Sequence, residues 1–137
     1  MKLIVAILAT TLLFITNSVT AQNKSITATV VNVTSDSGKV GFALYNKATF
    51  MKTPIKAKEA KIVDGKSTVT FEDLIPGEYA IICYHDRNDN DKMDFEPNGM
   101  PKEDFGASNN VMSFGPPQYD DAKIVLNDKN LSLAIRF

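Results

Sequence analysis

Cysteine is almost missing from this chain. Cys83 stands alone, so no internal disulfide can brace the fold. Its apolar neighbours mark it as a small buried hydrophobe rather than a thiol nucleophile. Histidine is equally scarce: His85 is the only one. A serine nucleophile such as Ser108 would have to take its base from that position, and no Gly-x-Ser-x-Gly setting surrounds Ser108. Excess positive charge is also lacking, with 15 basic residues against 16 acidic ones. That balance leaves no electrostatic footprint for nucleic acid or an anionic membrane. After the first fifteen residues there is no second long apolar run and no helical period.

What is present begins with a leader. Met1-Lys2 gives a positive start, and Leu3 to Ile15 is apolar apart from Thr10 and Thr11. Val19-Thr20-Ala21 then supplies small residues, and no cysteine follows to carry a lipid. This is the pattern of a secretory signal peptide over residues 1–21, cleaved after Ala21. The run is shorter than the roughly 20 residues a membrane span needs. Cleavage leaves 14 basic residues against 16 acidic, a net charge of −2. Residues 22–137 are long enough for one domain with a real core, expected in the periplasm or secreted, with no membrane insertion.

Within that domain the apolar period is two. Residues 26–33, rich in β-branched side chains, predict a strand. Ser35-Asp36-Ser37-Gly38 is a turn cluster, and Val40, Phe42 and Leu44 then alternate with Gly41, Ala43 and Tyr45. Residues 46–57 contain Pro54 and predict a loop, under which Phe50, Met51 and Ile55 could tuck. Residues 59–63 and 67–71 predict two strands joined by an Asp64-Gly65 hairpin turn. Pro76-Gly77 predicts a type II turn. The next strand puts Tyr79, Ile81, Cys83 and His85 on one face, and Ala80, Ile82 and Tyr84 on the other. Both faces are apolar, so this strand is placed centrally. Residues 86–119 form a long irregular connection whose aromatics Phe95, Phe105, Phe114 and Tyr119 suggest that it packs down. Strands at 122–126 and 131–136 complete the chain. The fold class is all-β: a single antiparallel β-sandwich of about seven strands, Greek key, with one long ordered loop.

The chemistry concentrates in His85 to Asp94, at the exit of the central strand. Oxygen-bearing side chains recur at alternate positions: Asp86, Asn88, Asn90, then the Lys92 carbonyl, then Asp94. A loop coiled round a hard cation needs this spacing, because alternate residues turn their oxygens inward. These match positions 1, 3, 5, 7 and 9 of a calcium loop. Position 12 is Pro97, so Glu96, or Glu103 or Asp104, would have to complete the shell. Five acids lie between residues 86 and 96, against Arg87 and Lys92. Two carboxylates 5 Å apart repel by roughly 3 kcal/mol at an effective dielectric near 20, and a divalent ion reverses that sign. Oxygen donors favour Ca²⁺ over zinc or copper. The expected affinity is no tighter than about 10⁻⁴ M. The competing reading is a solvated turn held by Asx hydrogen bonds.

A set of motifs runs through the chain in order: Phe71-Glu72-Asp73-Leu74 with Pro76-Gly77-Glu78-Tyr79, His85-Asp86 with Asn88 and Asn90, Gly99-Met100-Pro101, Gly106 with Ser108-Asn109-Asn110, and Gly115-Pro116-Pro117. In this combination the chain resembles the bacterial family known as domain of unknown function 2141. The resemblance implies an exported, prealbumin-like sandwich and no particular activity. Asp91 stands where glycine is usual in that family, and Ala107 where an aromatic is.

The functional expectation is a non-catalytic exported module. Its loop would hold Ca²⁺ through Asp86, Asn88, Asn90, Lys92, Asp94 and Glu96 and present a surface to a protein or glycan at the cell envelope. A metal-free carrier or interaction module using the loop aromatics is the alternative. A small periplasmic hydrolase using His85 with Asp86 or Glu103 is a third.

Overall fold

The computed structural model describes residues 23–137. The leader expected over residues 1–21 lies outside the described residues. The strands are β1 (Lys24–Val30), β2 (Lys39–Tyr45), β3 (Lys56–Lys61), β4 (Ser67–Leu74), β5 (Gly77–Asp86), β6 (Phe105–Ala107), β7 (Ile124–Leu126) and β8 (Leu131–Ile135). A 3₁₀ turn at Ser108–Asn110 and one helical turn, α1 (Tyr119–Ala122), precede β7. Each is too short to register as a period in the sequence. Among the described residues no helix is long and apolar enough to cross a membrane.

The strands form two sheets. One has the order β4-β1-β8 and the other β3-β2-β5-β6, with β7 also on β5. β6 and β7 share one edge of β5: β7 pairs with Gly77–Tyr79 and β6 with Ile82–Tyr84. The chain crosses between sheets after β1, β3, β4 and β7, which gives the open sandwich its Greek-key character. Two features differ from the expectation. There are eight strands rather than about seven, because the three residues of β6 carry no strand signal of their own. β8 pairs with β1 in parallel, from Ile26 opposite Leu131 to Val30 opposite Ile135. Strand period is the same in either direction, so alternation could not announce this.

The core lies where the alternating sets meet. Ile26, Ala28 and Val30 face Val40, Phe42 and Leu44, with Val69, Phe71, Ile81, Cys83 and Ile135 between them. Fully burying one such large side chain is worth about 1.5–3 kcal/mol. Of the two apolar faces of β5, the one carrying Tyr79, Ile81 and Cys83 joins the core, and His85 beyond them is buried too. Burial pushes the Cys83 thiol well above its ordinary range, in keeping with a packed hydrophobe.

Turn chemistry follows the sequence at one hairpin and departs at the next. Asp64 (φ 52°) and Gly65 (φ 71°) are both left-handed, as a primed two-residue turn requires. Gly77 is not left-handed, so the expected type II turn at Pro76-Gly77 is absent. The positive φ falls on Asp73 (56°) instead, and the Tyr79 hydroxyl donates to the Ile75 carbonyl at 2.7 Å across the turn. Met51 and Ile55 do not tuck under the 46–57 segment but stay exposed.

Candidate functional site

The site grows from the register of β2 on β5. Lys39, first residue of β2, lies opposite Asp86, last residue of β5. Asp86 is fully buried. Its Oδ1 accepts the Asn90 amide at 3.0 Å and its Oδ2 the Asp91 amide at 2.8 Å. One carboxylate thereby winds the chain into a tight loop, as Asx turns do. The winding needs left-handed backbone at Asp89 (φ 59°) and Asp91 (φ 65°). Aspartate tolerates this better than most residues, and the conformation explains why glycine suits position 91.

A second buried carboxylate closes the loop. Glu103 Oε1 accepts the Arg87 amide at 3.1 Å and Oε2 the Asp94 amide at 3.2 Å. The Lys102 amide donates to the Asp94 carbonyl at 2.9 Å, and the His85 amide to the Asp104 carbonyl at 2.9 Å. Residues 86–104 are thus tied at both ends to the exit of β5.

The expected ligands divide into three groups. Asn88 Nδ2 donates to Asp94 at 2.8 Å and Asn90 Nδ2 at 2.9 Å, so these three side chains converge. Those donors, Asn88 first, hold the Asp94 carboxyl below the usual carboxylate range. Asp86 faces the loop backbone. Glu96 lies apart, 4.0 Å from Lys102, in a separate turn whose amide bonds the Met100 carbonyl. Asn90 Oδ1 accepts the Lys92 amide at 3.2 Å.

A grouping that alternation does not reveal sits beside these. Ligand oxygens of Asp86, Asp89 and Asp91 lie within 4.8 Å of one another, so this group could hold a metal ion. The Lys39 ammonium reaches into it. It contacts Asp91, lies 3.0 Å from Asp89 and 4.0 Å from Asp86, and also meets Glu59 at 2.9 Å. These carboxylates, Asp91 foremost, raise the Lys39 pKa well above its ordinary value. Four carboxylates against one ammonium leave formal negative charge that a further cation can neutralise. Asp89 and Asp91 fall between the alternate positions of the expected ligands, and Lys39 is 52 residues away from Asp91, so no local pattern pointed to the trio.

The other candidates have clear places. His85 is fully buried, with Nε2 bonded to the Ser37 carbonyl at 2.7 Å and Nδ1 without a partner. It cannot meet a substrate arriving from solvent, so the hydrolase reading loses its base. Gly38 (φ 72°) is required nearby, because a Cβ there would stand 2.0 Å from the Asp86 carbonyl oxygen. Ser108, also fully buried, accepts the Ile81 amide at 3.0 Å and bonds the Ala122 carbonyl. Asn109 donates to the carbonyls of Asp121 and Lys123, and Asn110 to that of Ala134. Ser108-Asn109-Asn110 is therefore a clip on backbone groups of three elements.

Of the four loop aromatics only Tyr119 packs down, edge-on to Phe50 at 5.5 Å between ring centroids. Phe95 (57 % exposed) and Phe114 (fully exposed) do not, and Phe105 is 37 % exposed. Val111 and Met112 line a cleft of about 390 Å³ together with Gly106, Ser108, Arg136 and Phe137.

The chain belongs to the family described as an uncharacterized protein conserved in bacteria (DUF2141), whose model matches residues 28–134. No curated protein matches it, and no solved structure does.

Proposed function

We propose that this member of a conserved bacterial family is an exported, non-catalytic sandwich module. Its 86–104 loop binds Ca²⁺ weakly and steadies the surface that follows, residues 105–119, for a protein or glycan of the cell envelope. The observation that carries the reading is the convergence of Asp86, Asp89 and Asp91 within 4.8 Å at the end of a central strand. Asp94, on which the Asn88 and Asn90 amide groups converge, supplies a further carboxylate in the same loop. Carboxylate and amide oxygens without nitrogen or sulfur donors are the set a hard cation prefers.

The test is a thermal melt with and without millimolar Ca²⁺. At a free-ion concentration of about a hundred times Kd, binding to the folded state alone adds about 2.7 kcal/mol of stability. The rise should vanish in the double variant Asp89→Asn, Asp91→Asn, which leaves the buried Asp86 in place. An unchanged midpoint, or a rise that persists in the double variant, defeats the reading. Export is checked separately, by whether protein recovered from outside the cytoplasm begins at Gln22.

One observation favours a metal-free interaction module instead. The Lys39 ammonium already lies among the carboxylates, so the loop has a cation of its own. Under that reading Ca²⁺ leaves the melt unchanged, while partner capture still depends on Met112 and Phe114.

A further inference from the structure

β3 and β4 are consecutive in the chain, yet they belong to different sheets. They start as a hairpin. Val63 and Lys66 exchange backbone hydrogen bonds of 2.9 and 3.1 Å. One residue further, the Ser67 hydroxyl donates to the Ala60 carbonyl at 3.1 Å. Beyond that only long side chains span the gap. Lys58 Nζ donates to the Thr70 carbonyl at 2.5 Å and Lys56 Nζ to the Glu72 carbonyl at 2.6 Å. The linkage lengthens from backbone to hydroxyl to lysine as the sheets part.

The positions of these lysines break the pattern of β3. Lys56 lies opposite Leu44 and Lys58 opposite Phe42, both core-facing residues of β2. The inner face of a strand would ordinarily carry apolar side chains there. Instead two lysines lay their stems over the rim of the core and carry their charges to the far side. An inward-pointing charge on an edge strand is a recognised means of discouraging edge-to-edge pairing.

What they reach is the free edge of β4. β1 takes one side of β4, with Ala28 opposite Val69 and Ile26 opposite Phe71. The threonine pairs between, Thr27 with Thr70 and Thr29 with Thr68, touch through their hydroxyls at 2.9 Å. The backbone groups of Thr68, Thr70 and Glu72 therefore point away from β1, toward any newcomer. Two of those three carbonyls are the ones the lysines cap.

Without its caps this edge suits a second copy of itself. A two-fold antiparallel pairing centred on Thr70 sets Thr70 against Thr70, Thr68 against Glu72, and Val69 against Phe71. No like charges face each other, and threonine and apolar pairs are favourable neighbours across strands. We propose that Lys56 and Lys58 are removable covers on this edge, which hold the chain apart from a second copy that would otherwise add its own β4 and join two three-stranded sheets into one.

The experiment is sedimentation of the purified protein over a wide concentration range. The wild type is expected to remain monomeric. The double variant Lys56→Met, Lys58→Met keeps the stems over the core rim and removes the charges. It is expected to reach twice the monomer mass as concentration rises. Adding Thr70→Pro removes an outward N–H without touching the β1 ladder and should return it to the monomer. Lys56→Arg with Lys58→Arg, which keeps the caps cationic, should stay monomeric. A folded methionine variant that remains monomeric overturns the proposal. So does association that Thr70→Pro leaves intact, or a wild type already paired through β4. If the double methionine variant does not fold, the single variant Lys58→Met is read by the same criteria.

Discussion

The connection between β5 and β7 changes character halfway along. From Arg87 to Asp104 the chain is wound on two buried carboxylates, Asp86 and Glu103, each taking two backbone amides. From Val111 to Gln118 no charged residue occurs, and Met112 and Phe114 stand fully in solvent. Between them Ser108-Asn109-Asn110 staples the chain to β5, α1 and β8. The acid-rich half is thus the one tied by buried carboxylates, and the apolar half leaves its largest side chains in solvent. A carboxylate organises a loop by satisfying several donors at once, whereas apolar side chains offer the backbone no such partner.

Breaking the first half should cost most. Asp86→Ala removes the acceptor for two amides, at about 1.5–3 kcal/mol for each bond to a charged group. A loss of about 3 kcal/mol is expected in denaturant unfolding, with faster hydrogen exchange at Asn90 and Asp91. Breaking the staple should come next. Ser108→Ala leaves the Ile81 amide buried without its acceptor, a loss of about 1–3 kcal/mol by the same measurement. The second half should be nearly silent: Phe114→Ser should change stability by about 0.5 kcal/mol or less, while weakening capture of any partner.

Two further outcomes sharpen the contrast through charge. Lys39→Met removes the ammonium from among Asp86, Asp89 and Asp91. If the trio takes Ca²⁺, its affinity by titration calorimetry should rise several-fold, because the resident cation no longer competes. The pH profile of unfolding should show two limbs. Asp94 is held below the carboxylate range when folded, chiefly by Asn88 and then Asn90. Its contribution is present above the ordinary aspartate pKa and is lost as pH falls through the lowered value. Lys39 is raised, chiefly by Asp91, so its contribution is present below the ordinary lysine pKa and is lost as pH rises through the raised value. Asn88→Ala with Asn90→Ala should flatten the acid limb alone.

Much of this was legible in the residues. Seven of the eight strands were legible in β-branched runs, turn residues and a period of two. The spacing of Asp86, Asn88, Asn90 and Asp94 marked a loop in which Asn88 and Asn90 do converge on Asp94, though through their amide nitrogens. Glu96 lies in a separate turn closed by its amide on the Met100 carbonyl, and of the four loop aromatics only Tyr119 packs down.

By itself the sequence determined the class of fold, the central strand and the acidic character of its exit, since period, turn residues and charge are local properties of a chain. Only the tertiary structure decided that β8 runs parallel to β1, that Lys39 stands among three aspartates, and that Lys56 and Lys58 cover β4. Each depends on which strands become neighbours, and such long-range pairing leaves no mark at the spacing of a few residues.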